Sequence, residues 1–295
     1  MESGGASRTA VFVCQGRAVA DGRLAPGRFA DPVAASLLDE SELAPVRMAR
    51  EGTRPQDGRD RFLAEAVRAC AEVVAPRTVA IDEAVADACA RRPEAQVVLL
   101  GAGLDARPWR LEVLRGRTVL SVDHPASQAD LRRRAAGLVA PLADLRYVAT
   151  DLAVQPLAPA LAGAGHDPGR TTVWVWEGVI PYLTPSEVAA TLDAVSALSG
   201  EGSTLVAQYQ SPSGGARLGR RVMGMFARLA GVPPILADEP WKAAYTAEQF
   251  GSLLAQRGWL LRDDASLLDH ARRLETPTQA ARSLATGRVA VARRG

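Results

Sequence analysis

The residues Val97 to Leu100 form a short apolar run that passes directly into Gly101-Ala102-Gly103-Leu104-Asp105. Such a run ending on paired glycines reads as a buried strand and a tight turn, because glycine lets the backbone bend sharply and approach a ligand closely. From about residue 96 the pattern repeats. Strands are expected at Val97–Leu100, Thr118–Val122, Arg146–Thr150, Thr172–Trp176, Ser203–Gln208, Trp259–Arg262 and Arg288–Ala292. Helical stretches separate them; Ser186–Ser199 carries apolar residues at Val188, Leu192, Val195 and Leu198. Alternation of this kind defines an α/β chain with a doubly wound, Rossmann-like seven-stranded sheet. Upstream, Asp60–Val74 and Pro76–Arg92 read as two helices, and residues 1–58 as less regular. The expected organisation is an N-terminal helical extension over 1–75 and a core over 76–295. Within the core, a segment at about 210–242 breaks the repeat with Gly214-Gly215, Met223, Met225, Phe226 and Pro233-Pro234. An insertion between strands is expected to form a lid or substrate wall.

Charge excludes one class of partner. With 35 basic and 33 acidic residues the net charge is +2, without the one-sided excess of a protein that neutralises many phosphates. Nucleic acid is therefore not an expected partner. Lys242 is the only lysine, so arginine carries nearly all the positive charge. Cys14, Cys70 and Cys89 show no paired spacing and have apolar neighbours, as expected of free thiols in a reducing cytoplasm. No apolar stretch reaches the ~18 residues of a membrane span, and neither secretion nor membrane insertion is expected.

Four features fall at the C-terminal ends of successive expected strands, where open α/β sheets bind ligands. The glycine loop is the first, and GAGLDA also satisfies the dinucleotide pattern GxGxxA. The second is Asp123, 22 residues after Gly101, placed for its carboxylate to accept both ribose hydroxyls of an adenosine, or else to cap the helix that Pro125 begins. NAD and S-adenosylmethionine (SAM) share this requirement. Asp151-Leu152 is the third, offering a carboxylate and a backbone N–H to an adenine. The fourth is Glu177, followed by Gly178 and leaving the apolar strand Val173-Trp174-Val175-Trp176. A carboxylate there needs a partner or a bound cation, because burying it alone costs several kcal/mol. The sulfonium and ammonium groups of SAM are suitable cations.

These residues carry a resemblance. VVLLGAGLDARPWRL, followed in order by VDHP, ATDL and WEGVIPYL, resembles the leucine carboxyl methyltransferase family, which includes bacterial polyketide O-methyltransferases. Ser7-Arg8-Thr9-Ala10, Arg17-Ala18, Asp31-Pro32 with Leu37-Leu38, and Pro76-Arg77-Thr78 with Ile81-Asp82 are similar to the family's opening segments. The resemblance implies a class I methyltransferase sheet and SAM as cofactor. It implies that Arg77 meets the SAM carboxylate, Gly101, Ala102 and Gly103 line the methionine, and Asp123, beside His124, binds the ribose. Asp151 and Leu152 would contact the adenine, with Glu177 and Gly178 near the amino group or reacting end. The chain departs from the family where Ala106 replaces a threonine and Gln208 an acidic residue.

A SAM methyl is already activated, so the enzyme must align the reactants and exclude water. A carboxylate acceptor needs no base, whereas a phenol of pKa about 10 benefits from one. No His–carboxylate pair has an evident catalytic spacing, and His166 and His270 are expected in a loop and on a helix surface. Carboxyl methylation of a small natural-product-like molecule is therefore expected, with Glu177 and Tyr182 at the reaction centre, Tyr182 as a hydrogen-bond donor to the acceptor oxygen. Phenol methylation and methylation of a protein C-terminus are the near alternatives. From other classes, a non-catalytic SAM-binding protein and an NAD-dependent oxidoreductase remain. The oxidoreductase is disfavoured because no Tyr-x-x-x-Lys pair exists and Pro108 interrupts the helix expected after the glycine loop. Trp109, Trp174 and Trp176 are expected in the core. No metal is expected.

Overall fold

The computed structural model describes residues 7–52, 55–151, 155–212 and 241–295. Most of the insertion at 210–242, with its Met223–Phe226 and Ile235–Leu236 stretches, lies outside the described residues, as does Leu152. Seven strands form one sheet: β1 Gln96–Leu100, β2 Thr118–Asp123, β3 Asp144–Ala149, β4 Thr172–Trp176, β5 Thr204–Gln210, β6 Trp259–Ser266 and β7 Gly287–Arg294. Their order is β3-β2-β1-β4-β5-β7-β6. The first five strands pair in parallel, while β7 runs antiparallel to both β5 and β6. The chain reverses direction across the sheet between β1 and β4, and this switch point opens a crevice at the strands' carboxyl ends.

β1 and β4 are buried at every position, as central parallel strands covered on both faces must be. Trp174 and Trp176 point with Leu100, Tyr209, Phe250 and Val188 into the core on one face. Val97, Leu99, Val173, Val175 and Val206 point into the core on the other, against Ile81, Val85 and Cys89. Trp109 is also buried. The helix Pro185–Ala197 begins at a capping box in which Thr184 accepts from Glu187 N–H at 3.3 Å.

The N-terminal region is more regular than its sequence suggests. α1, Arg8–Ala20, α2, Glu40–Glu51, and α3, Gly58–Arg91, pack together around Cys14, Phe29, Leu37, Val67, Ala71 and Ala75. α3 is one helix of 34 residues where two were expected, and Pro76 lies inside it. Proline normally breaks a helix by removing one N–H and crowding the preceding turn. Here Val74, Ala75, Pro76, Val79 and Ala80 are all buried, and packing along the helix outweighs the lost bond. The expected boundary between residues 75 and 76 thus falls within a continuous helix. After the glycine loop comes only the short α4, Arg107–Arg110, with Pro108 in its first turn. Among the described residues, no helix is long and apolar enough to cross a membrane.

Candidate cofactor and active site

β1 delivers the chain to Gly101 and Gly103, both left-handed at φ of 64° and 53°. A β-carbon on Gly101 would stand 2.3 Å from Cγ2 of Val179, and one on Gly103 would stand 3.0 Å from Cβ of Ala10. The loop is therefore pressed between the exit of β4 and the start of α1, where only glycine combines this backbone with this proximity. Ala102 N–H donates to Val122 O at 3.0 Å, which continues the parallel pairing two residues past β1.

Asp123 ends β2 and turns back onto the loop. Its Oδ2 accepts Gly103 N–H at 2.5 Å and its Oδ1 accepts His124 N–H at 2.6 Å. Burial pushes the carboxyl above its usual range against the opposing effect of these two donors. Helix α5, Pro125–Ala135, is capped by His124, whose Nδ1 accepts Ala126 N–H at 3.3 Å. The capping duty thus falls on His124, and Asp123 faces the glycines. One strand further, Asp151 is half-buried, and Gln155 bonds both its carbonyl, at 2.8 Å, and its N–H, at 3.3 Å.

Glu177, whose apolar setting called for a partner or a bound cation, meets two arginines of its own chain. Arg77 Nε on α3 lies 2.6 Å from Oε1, and Arg107 Nη2 on α4 lies 2.8 Å from Oε2. The Arg77 contact is one of charge alone: its buried Nε–H makes no aligned hydrogen bond. Burial raises the Glu177 pKa, but Arg107, Arg77 and Arg17 outweigh it and hold the carboxyl at about 2. Arg107, which sequence reasoning missed, is the hub. Its Nε and Nη1 each lie 2.6 Å from a further carboxylate, Asp82 Oδ1 and Asp105 Oδ2. Asp82 also pairs with Arg110 at 2.7 Å. Arg110 reaches Asp31 at 3.4 Å, and Asp31 pairs with Arg17 at 2.7 Å. Asp105 Oδ1 additionally accepts Arg107 N–H at 2.8 Å, supporting the first turn of α4 where Ala106 offers no hydroxyl.

Gln208 was also missed as a site residue. Its Oε1 accepts Gly178 N–H at 3.1 Å and fixes the turn after Glu177 with a neutral amide, where an acid would repel that carboxylate. Tyr182 lies half-buried in a single 3₁₀ turn, Ile180–Tyr182, five residues beyond Glu177. Lys242 N–H braces the turn through Pro181 O at 2.7 Å. His166 and His270 are buried rather than surface groups. His166 meets Thr172 Oγ1 at 3.1 Å and tilts onto Trp174, while His270 sits in the helix Leu267–Arg273. Burial lowers the pKa of both. Among the described residues, no His, Cys, Asp or Glu group is arranged to hold a metal.

The strand ends thus gather a carboxylate, a close-approach glycine loop and a paired guanidinium and carboxylate, the kinds of group that an adenosine bearing an amino acid calls for. A single reversed strand, β7, set between β5 and β6 of an otherwise parallel sheet is the arrangement of class I SAM-dependent methyltransferases, and solved structures agree on the fold. A DUF574 family protein from Streptomyces avermitilis superposes with TM-score 0.55 at 16% identity, covering 85% of this chain and 90% of that one. A putative methyltransferase from Thermobifida fusca gives 0.52 at 17%, covering 88% and 92%. The leucine carboxyl methyltransferase family profile matches residues 10–196, and the chain belongs to that family. A putative SAM-dependent methyltransferase of Mycolicibacterium gilvum is 38% identical over 207 residues, which is 68% of this chain and 66% of that protein. A Mycobacterium marinum protein of the same description is 36% identical over 209 residues, or 63% and 66%. The chain thus matches about two thirds or less of the length of these curated relatives.

Proposed function

We propose that the protein transfers the methyl group of SAM to an oxygen of a small, natural-product-like acceptor, a carboxylate that becomes a methyl ester. The observation that carries this reading is the oppositely charged Arg77–Glu177 pair beside the glycine loop and Asp123. When bound, SAM supplies a methyl group activated by positive sulfur. Asp123, flanked by His124, receives the ribose hydroxyls, and Asp151 and Leu152 receive the adenine. Gly101, Ala102 and Gly103 line the methionine chain, Arg77 takes its carboxylate, and Glu177 with Gly178 faces its ammonium. Tyr182 donates to the acceptor oxygen. Helices α1 and α2 cover the reacting end and help exclude water. The protein works in the cytoplasm, in keeping with its three free cysteines.

The carboxylate is favoured because it needs no base, and the three histidines are held in structural contacts: His166 on Thr172, His270 beside Arg273, and His124 at the cap of α5. The test is single-turnover transfer of labelled methyl across an acceptor panel, followed by mild alkaline hydrolysis of the product. A carboxylate is ionised throughout, so a rate nearly flat from about pH 6 to about pH 9 and label released by saponification are expected. Label that survives, with a rate rising steeply with pH, would replace the ester with an aryl ether.

A further inference from the structure

Two arginines hold Glu177, and they hold it differently. Arg107 is fixed on every side, with Nε on Asp82, Nη1 on Asp105 and Nη2 on Glu177, and its side chain is only 3% exposed. Asp82 is itself held by Arg110. Among the described residues Arg77 has no ion pair other than Glu177, and its Nε–H is not aligned on the carboxylate oxygen. One guanidinium is a fixture and the other is held by charge alone. Arg107 also pairs with Asp105 at the end of the glycine loop, and the two guanidiniums share Glu177, one anion between two cations, where a zwitterionic amino-acid group would bring one of each.

We propose that Arg107 is the positioning residue for the amino-acid end of SAM: it keeps Glu177 ionised and oriented toward the ammonium while Arg77 exchanges Glu177 for the SAM carboxylate. The proposal rests on the cofactor reading above. Without Arg107, Glu177 would face Arg77 from α3 and the more distant Arg17 from α1, with Asp82 and Asp105 left as uncompensated neighbours. Burial would then dominate and raise the carboxyl, so that falling pH would neutralise it and weaken its hold on an ammonium.

The test is calorimetric binding of S-adenosylhomocysteine and of 5′-methylthioadenosine, a nucleoside thioether lacking the amino-acid end. Both are titrated into the wild-type protein, Arg107→Gln and Arg107→Lys between about pH 8 and about pH 5.5. Wild-type affinities should vary little with pH. Arg107→Gln should weaken S-adenosylhomocysteine about tenfold or more near neutrality, and further toward acid, while 5′-methylthioadenosine changes less than about twofold. Arg107→Lys restores the charge without the three-way geometry, and should recover part of the affinity and flatten the pH dependence. Equal weakening of both ligands, or none, would overturn the assignment. If Arg107→Gln does not melt cooperatively, Arg107→Lys decides alone: a loss of about threefold confined to S-adenosylhomocysteine supports the proposal, and a parallel loss rejects it. Wild-type protein that binds neither ligand fails the cofactor reading itself, before any variant is compared.

Discussion

The Asp123 carboxylate is fixed by its own backbone neighbours. Each of its oxygens already accepts one backbone N–H, from Gly103 and His124, which fixes the carboxylate and leaves each oxygen a further lone pair for a ribose hydroxyl. Asp123→Ala should remove charged hydrogen bonds worth roughly 1.5–3 kcal/mol and weaken S-adenosylhomocysteine by one to two decades. Unchanged affinity in a cooperatively folded variant would show that the ribose is held elsewhere. Residues of this kind were legible in the sequence because the signal is local: a glycine loop, an aspartate closing the next strand, a glutamate leaving an apolar run. Arg107 was not, because its partner Glu177 lies 70 positions away in a chain where arginine is everywhere. Its one visible signal was its place in the GLDARPW stretch. The need of Glu177 for a positive neighbour was legible, but the identity of that neighbour was not.

At the level of elements, the strands were legible to within a few residues, since apolar β-branched runs between turns depend on nearby sequence. Thr172–Trp176 is unchanged between expectation and structure, whereas β6 and β7 run longer. Their antiparallel reversal is a matter of pairing that no local pattern encodes. The long α3 was hidden by Pro76, a local rule overridden by burial against α1. That packing gives the extension a direct route to the site: Ala10 abuts Gly103, and Arg17 donates to Leu104 O at 2.5 Å. If the extension and the insertion close over the reacting end, S-adenosylhomocysteine with acceptor should slow amide exchange both in α1 and across 210–242. Identical exchange with and without these ligands, in a protein shown to bind them, would rule out closure.

Across the whole molecule, the charge network ties separate stretches of chain into one unit. Arg17 comes from α1, Asp31 from the turn beyond it, Arg77 and Asp82 from α3, Asp105, Arg107 and Arg110 from the loop and α4, and Glu177 from the exit of β4. Four guanidiniums face four carboxylates, so the buried set is neutral as a whole, yet removing any one member leaves a buried charge uncompensated. The same charges set an acid limit on stability. Glu177 is held at about 2 in the folded protein, below its ordinary value of 4.5, and Asp82 is also lowered. A depressed carboxylate contributes stability that is full above its unfolded pKa and is lost as pH falls through its folded one. The shift of Glu177 corresponds to about 3 kcal/mol, lost between about pH 5 and about pH 2. Urea unfolding followed across that window should show the wild-type free energy falling steeply. Glu177→Gln should begin less stable at neutral pH and lose correspondingly less on acidification, with Asp82 supplying a residual slope. If wild type and Glu177→Gln lost stability in parallel, the ion pairs at Glu177 would contribute nothing to the acid sensitivity of the fold.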